Sequence, residues 1–179
     1  MASHKKRCSW AVDDPLMIKY HDEEWGVPLE NDNELFERMT LEVFQAGLSW
    51  RLILHKRAAF RKSFSSFSID RVASLTRKDV SRLLKDETII RNRLKIESTI
   101  ENAKRLRRII GEHGSFANYL SSLPDDRKTL YKELKRQFRF MGPKIAESFL
   151  LSIGKLDGVH EPDCWKARKA RRKPSRRRP

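Results

Sequence analysis

The sequence predicts an all-α fold, on three observations. Apolar residues recur at helical spacing through most of the chain, and no convincing stretch alternates with period two. Only seven glycines and seven prolines punctuate the 179 residues. The first clear element spans 33–48, where Leu35, Phe36, Met39, Val43 and Ala46 form a 3.6-residue stripe, with Asn31 and Glu34 at capping-box spacing. Residues 58–67 are mixed and read as a helix followed by a turn, and 77–85 as a short amphipathic helix. Residues 91–110 carry Ile96, Ile100, Ala103, Leu106 and Ile110 on one side and stop at Gly111 and Gly114. Helices at 128–138 and 144–153 complete the body, which shows no internal repeat.

The junction Phe138-Arg139-Phe140-Met141-Gly142-Pro143-Lys144 carries more than a change of direction. Gly142 permits a turn and close approach to a partner, and Pro143 suits the first position of the next helix. Helix, tight glycine hairpin and helix together present backbone N–H groups and a positive helix end, which suits a phosphate. Many αα-hairpins carry a glycine and no ligand. In a basic chain the balance moves to DNA, with Gly142 and Lys144 as candidate contacts.

Charge and composition narrow the class. There are 39 Lys+Arg against 24 Asp+Glu, a net +15, and 39% of residues are hydrophobic, enough for a core at this length. No run of about 18 apolar residues exists, so no membrane-spanning helix is expected. The basic N-terminus is not followed by an apolar stretch and does not read as a secretory signal. Two cysteines make no disulfide framework, and a reducing cytoplasm is the expected compartment. Nine of the fifteen excess positive charges fall in 166–179, which holds no acid. The expected organisation is therefore a helical domain over 1–165 and a disordered basic tail over 166–179. Such a tail suits a polyanion, nucleic acid first; a solubilising or boundary tail without function is the alternative. After Trp165 it offers only Ala167 and Ala170 as apolar residues, too little for a membrane-surface helix.

Two groups of residues could carry chemistry. Cys8 and His21 are separated by twelve residues, His160 and Cys164 by three. Two thiolates and two imidazoles make a zinc set, and four protein ligands would close the shell and make the metal structural. It would staple the two ends of the domain together; two unrelated buried cysteines and two surface histidines are the alternative. His4, His55 and His113 have no cysteine neighbour and read as surface residues. The second group surrounds Glu42, which falls between Leu35, Met39 and Ala46 on the helical wheel. A carboxylate inside an apolar stripe is costly without a partner or ligand, and a buried ion pair with an arginine is the ordinary explanation. Beyond it, Ala46-Gly47-Leu48-Ser49-Trp50 makes a glycine turn, and Trp10, Tyr20 and Trp25 add aromatic surface. Aromatic walls and one carboxylate suit a flat heterocycle, although ordinary core aromatics would look similar.

Cys8-Ser9-Trp10, Asp14-Pro15-Leu16, Tyr20 through Pro28, Leu41-Glu42 with Gln45 through Trp50, and Ile89 through Ile96 together resemble the DNA-3-methyladenine glycosylase I family. The segment Phe138 through Pro143 resembles its hairpin region, and the resemblance runs from about Cys8 to Cys164. It implies a helix-hairpin-helix DNA glycosylase that excises 3-methyladenine from alkylated double-stranded DNA. It also implies zinc on Cys8, His21, His160 and Cys164, a bond from Glu42 to the methylated adenine, and Tyr20 and Trp50 against the base. Trp10 and Trp25 would line the same region, and Leu48 would wedge into the base stack. Two departures stand out: Leu156-Asp157-Gly158-Val159-His160 is one residue longer than the family's Asn-Asp-His approach, and 115–126 is shorter and lacks a tryptophan.

The expected reaction is hydrolysis of the N-glycosidic bond of a flipped, cationic purine, with Glu42 as the catalytic carboxylate. Asp157, fifteen residues past Gly142, is a second candidate for acting on the water. A monomer is expected. The rival from another class is a non-enzymatic helix-hairpin-helix DNA-binding module. A zinc-stapled RNA-binding or interaction protein is a third. Both explain the charge and neither explains Glu42.

Overall fold

A computed structural model describes residues 5–157 and 160–167. Its helices are α1 (Pro15–Lys19), α2 (Asp32–Gln45), α3 (Trp50–Ser63), α4 (Ile69–Ala73), α5 (Arg77–Leu83), α6 (Arg93–His113), α7 (Phe116–Ser122), α8 (Arg127–Gln137) and α9 (Pro143–Ser152). A π-helical turn, Tyr20–Glu24, continues α1. Among the described residues there is no strand, as the sequence predicts.

Helix α2 is the axis of the molecule. Asn31 Oδ1 accepts from the N–H groups of Asn33 and Glu34 and starts it. From Leu35 to Phe44 every residue is buried, because α3, α6, α7 and α9 pack around it. The stripe read from the sequence is therefore one face of a helix enclosed on all sides. That is why Glu37, Arg38 and Glu42 lie in the interior. Phe36, Phe44, Phe60, Phe64 and Phe67 fill the space between α2 and the α3–α4 region with tilted, edge and stacked ring pairs.

Several boundaries differ from expectation. Helix α3 begins at Trp50, eight residues before the expected start, because Ser49 Oγ accepts from Leu52 N–H and caps it. Helix α6 runs through Gly111 and ends where Gly114 takes φ +79°. In the hairpin the left-handed residue is Phe140, at φ +58°, and not Gly142, which caps α9 in an ordinary extended conformation (φ −67°). Gly142 instead leaves open space: a Cβ there would meet nothing within 4 Å. The short elements α1, α4 and α7 were not expected.

One face of α6 positions both the loop after α2 and the hairpin. Lys95 Nζ donates to the carbonyls of Phe44 (2.9 Å) and Ala46 (2.7 Å), closing the C-terminal end of α2. Two turns on, Asn102 grips Arg139, accepting from its N–H at 2.7 Å and donating to its carbonyl at 3.2 Å. Positions seven apart share a helical face, so a single rigid rod sets the spacing of the two.

Candidate functional site

The π-helical turn does the first part of the positioning. Asp14 caps α1 by accepting from Leu16 and Met17 N–H, and bonds His55 Nε2 on α3 at 2.7 Å, so the segment is tied down before it turns. Trp25 N–H then reaches back five residues to Tyr20 carbonyl at 2.8 Å. The widened turn buries two consecutive side chains, Tyr20 and His21, in different neighbourhoods.

Tyr20 enters an aromatic slot. A cavity of about 190 Å³ is lined by Trp10, Met17, Tyr20, Trp25, Glu42, Gln45, Trp50 and Ser148. Tyr20 and Trp50 have ring centroids 5.1 Å apart, and Trp10 and Trp25 stand edge-on at 5.8 Å. The sequence thus placed Trp10, Tyr20, Trp25, Trp50 and Glu42 together, as the structure does. It missed Met17, Gln45 and Ser148. Ser148 sits on α9, and nothing in its local pattern marks it.

Three of the slot's side chains, Glu42, Trp50 and Tyr20, keep hydrogen-bonding capacity that no described residue meets. Glu42 is 4% exposed, and no hydrogen bond or ion pair reaches its carboxylate among the described residues. Burial pushes its carboxyl up to about 8, opposed by the charge of Arg38 one turn earlier. Trp50 Nε1 is buried without an acceptor among the described residues. Tyr20 Oη receives a bond from Arg38 Nη1 at 2.9 Å, and its own hydrogen has no acceptor there. Three uncommitted groups around one aromatic cavity are what a bound, flat, hydrogen-bonding molecule would complete.

A larger depression, about 680 Å³, lies on the far side of Tyr20, with Glu24, Arg38, Arg57 and Arg61 in its wall. Its central charges are already paired: Arg38 with Glu24 at 2.9 Å, Arg57 with Glu24 at 2.8 Å and Glu37 at 2.5 Å, Arg61 with Glu37 at 2.9 Å. It is a charged surface groove whose central ion pairs are already made.

His21 enters the other neighbourhood. The ligand atoms of Cys8, His21, His160 and Cys164 all lie within 4.8 Å of one another. Cys164 Sγ is 3.3 Å from His21 Nε2, and Cys8 Sγ is 3.6 Å from His160 Nδ1. Tetrahedral bonds of about 2.3 Å to sulfur and 2.0–2.1 Å to nitrogen place ligand atoms at such separations. His21 Nδ1 donates to Asp22 at 2.8 Å, and Arg7 bonds that carboxylate in turn and holds its carboxyl down at about 2. Burial lowers both imidazoles, His160 to about 4, so they stay neutral as ligands must. Burial pushes the Cys8 thiol up to about 11, a cost that a cation would remove. Beside the cluster, Ser9 bonds Glu161 and Trp165 N–H bonds Lys6 carbonyl, so the two ends of the chain already meet.

The other expected residues fall as follows. Leu48 sits in the turn after α2, half-buried against the core rather than exposed, with Gly47 at φ +82° and Gln45 Nε2 bonded to Leu48 carbonyl at 2.9 Å. Lys144 is exposed in the first turn of α9. Asp157 is not in the slot: it lines a separate depression with Asp125, Arg127 and Lys155, and its carbonyl accepts from Arg127. The longer approach to His160 accompanies this displacement. Lys166, expected at the start of the tail, is half-buried and donates to the carbonyls of His21 (3.0 Å) and Trp25 (3.2 Å). Lys166 thus packs on the helical body, and the rest of the tail, 168–179, lies outside the described residues.

A helical body, an aromatic slot with a buried unpaired acid, and a hairpin on the same framework define the class of base-binding helical proteins. Within that class, residues 10–134 match the methyladenine glycosylase family. The chain is 39% identical to DNA-3-methyladenine glycosylase 1 of Escherichia coli, over 89% of this chain and 95% of that protein. It is 35% identical to DNA-3-methyladenine glycosylase of Haemophilus influenzae, over 88% and 96%. A solved 3-methyladenine DNA glycosylase I variant in complex with 3-methyladenine superposes with a TM-score of 0.81 at 32% identity, covering 88% of this chain and 95% of that one. The enzyme from Staphylococcus aureus, solved for 3-methyladenine recognition, superposes at 0.79 with 32% identity, over 86% and 92%. The chain belongs to the methyladenine glycosylase family.

Proposed function

We infer that this protein is a DNA repair glycosylase that hydrolyses the N-glycosidic bond of 3-methyladenine in alkylated DNA, the opening step of base excision repair. The observation that carries the reading is Glu42, a carboxylate buried in an aromatic slot with no hydrogen-bond or ion-pair partner among the described residues. Adenine presents an exocyclic amine beside a ring nitrogen, and Glu42 is the acceptor for that amine. Methylation at N3 gives the base a positive charge, which favours the ionised carboxylate and draws its proton affinity back down.

Extruding the nucleotide costs a few kcal/mol, recovered by contact of the base with the faces of Tyr20 and Trp50 and by the bond to Glu42. Leu48, at the mouth of the turn, fills the vacated place in the stack. The hairpin, through Gly142 and Lys144, holds the phosphate backbone. When the bond from C1′ to the base breaks, its electron pair goes to the base, which leaves neutral. Water bonds C1′ and gives up a proton. A cationic base is already a good leaving group, so the slot's task is to select and hold it rather than to protonate it. Zinc on Cys8, His21, His160 and Cys164 would supply a closed structural cross-link and no open coordination position.

Chromatography of the bases released from DNA containing 3-methyladenine tests the assignment. The expected product is free 3-methyladenine, dependent on Glu42. Tight DNA binding without base release would support the non-enzymatic DNA-binding module instead.

A further inference from the structure

We propose that Arg38 is a positioning residue that acts through Tyr20: it occupies the phenol oxygen and leaves the Tyr20 O–H able to serve only as a donor to the bound base. This rests on the 3-methyladenine reading and adds to it a residue that lies outside the slot. Arg38 is absent from the walls of the small cavity and present in those of the large one, with Tyr20 common to both.

The geometry is specific. Arg38 is 2% exposed on α2, one turn before Glu42. Its Nη1 donates to Tyr20 Oη at 2.9 Å and lies 3.4 Å from Ser152 carbonyl at the end of α9; its Nη2 donates to Glu24 at 2.9 Å. The guanidinium carbon stands 4.8 Å from the Tyr20 ring centre, so the same group also covers the ring. Three helical segments thus converge on one side chain. Glu24 and Glu37 continue the chain to Arg57 and Arg61, which fixes the guanidinium from behind.

The consequence follows from donor and acceptor bookkeeping. A guanidinium donates and never accepts, so a phenol bonded to it must accept there and can donate only elsewhere. A charged donor polarises the hydroxyl and strengthens the bond it gives onward. Among the described residues nothing accepts that hydrogen. The slot therefore offers a fixed donor on Tyr20 beside a fixed acceptor on Glu42, which matches a ring nitrogen beside an exocyclic amine. Without Arg38 the phenol could rotate and accept, and the pattern would lose its polarity.

A double-mutant cycle tests this on the full chain, with free 3-methyladenine as the probe and quenching of the slot tryptophans as the readout. Arg38→Met and Tyr20→Phe should each weaken base binding about tenfold, the loss for one charge-assisted hydrogen bond. In the Tyr20→Phe background, Arg38→Met should add less than about twofold, because the hydroxyl it acts through is gone. Arg38→Lys, which keeps a donor, should recover part of the affinity. Melting curves run alongside give the folded fraction, and Arg38→Lys carries the cycle if Arg38→Met does not fold. Multiplying losses, with the full tenfold again in the Tyr20→Phe background, would mean that Arg38 acts without the Tyr20 hydroxyl, by bracing α2, α9 and the π-turn or through its charge on Glu42, and would overturn the relay alone. A wild type that binds no 3-methyladenine would overturn the functional reading and the relay with it.

Discussion

Two glutamates on α2, five residues apart, are equally hidden and oppositely provided for. Glu37 is 5% exposed and accepts from Arg57 and Arg61; Glu42 is 4% exposed and has no ion pair among the described residues. Both sit on the same enclosed helix, so burial alone does not separate them. What separates them is whether the protein supplies the counter-charge. Glu37 has the ordinary fate of a buried acid, neutralised within the fold. Glu42 faces a cavity, and no ion-pair partner for it lies among the described residues. A buried polar group whose partner is missing points to a ligand, and one whose partner is present points to structure.

The proposed zinc site extends the same contrast and carries the largest expected effect. Two thiols and two imidazoles, three of the four residues buried and His160 half-buried, gather within 4.8 Å, a set that a cation would complete. The purified protein should hold one zinc per chain, and Cys8→Ser should lose it together with stability on the order of 5 kcal/mol or more. Metal analysis beside a melting curve checks both. Stoichiometric zinc retained by a variant lacking both Cys8 and Cys164 thiols would break the extension.

Next comes the paired glutamate. Glu37→Gln removes the negative charge that Arg57 and Arg61 share, while Arg57 keeps Glu24, and should destabilise the fold by about 1–3 kcal/mol. Base affinity of the folded protein should hardly move. Denaturant unfolding, with base titrated below the transition, separates the two readouts. A stable Glu37→Gln protein that no longer binds base would reverse the roles assigned to the pair.

A smaller effect is expected at Leu48. Its side chain is half-buried at the turn closed by Lys95 on α6, so Leu48→Ala should cost little stability. It should slow base release from duplex by about tenfold while leaving free-base affinity unchanged, since only extrusion uses the side chain. Equal losses on duplex and on free base would show that Leu48 merely packs the slot.

The long elements were legible because amphipathic periodicity survives over many residues: α6, α8 and α9 begin and end within about three residues of expectation. Helices α1, α4 and α7 have five to seven residues, too few for a period to show. The start of α3 was hidden because Leu52, Ile53 and Leu54 are contiguous, and the Ser49 cap decides the boundary. At the site, a helical wheel exposed Glu42 because it broke an apolar stripe. The same wheel missed Glu37 and Arg38, since it assumes one buried face and α2 has none exposed between Leu35 and Phe44. Cysteine and histidine spacing marked two half-sites, but joining them across the chain needed the family resemblance or the fold. Gly142 reads as permitting a turn and close approach; the positive φ in the hairpin falls on Phe140, which no local pattern marks.

Glu42 has no ion-pair partner among the described residues, and Glu42→Gln tests most directly whether a bound base supplies one. The carboxyl's ordinary 4.5 rises to about 8 in the fold, so the folded state favours the neutral form. Its contribution is fully present below the ordinary value and is lost as pH rises toward about 8. Glu42→Gln removes that loss. At pH 8 the variant should therefore melt at or above the wild type, by an amount on the order of a few kcal/mol, with the difference vanishing near pH 4.5. Free 3-methyladenine should raise the melting temperature of the wild type and do so much less for the variant, a loss of about 1–3 kcal/mol in binding. A variant that melts far below the wild type while keeping its full response to 3-methyladenine would contradict the account.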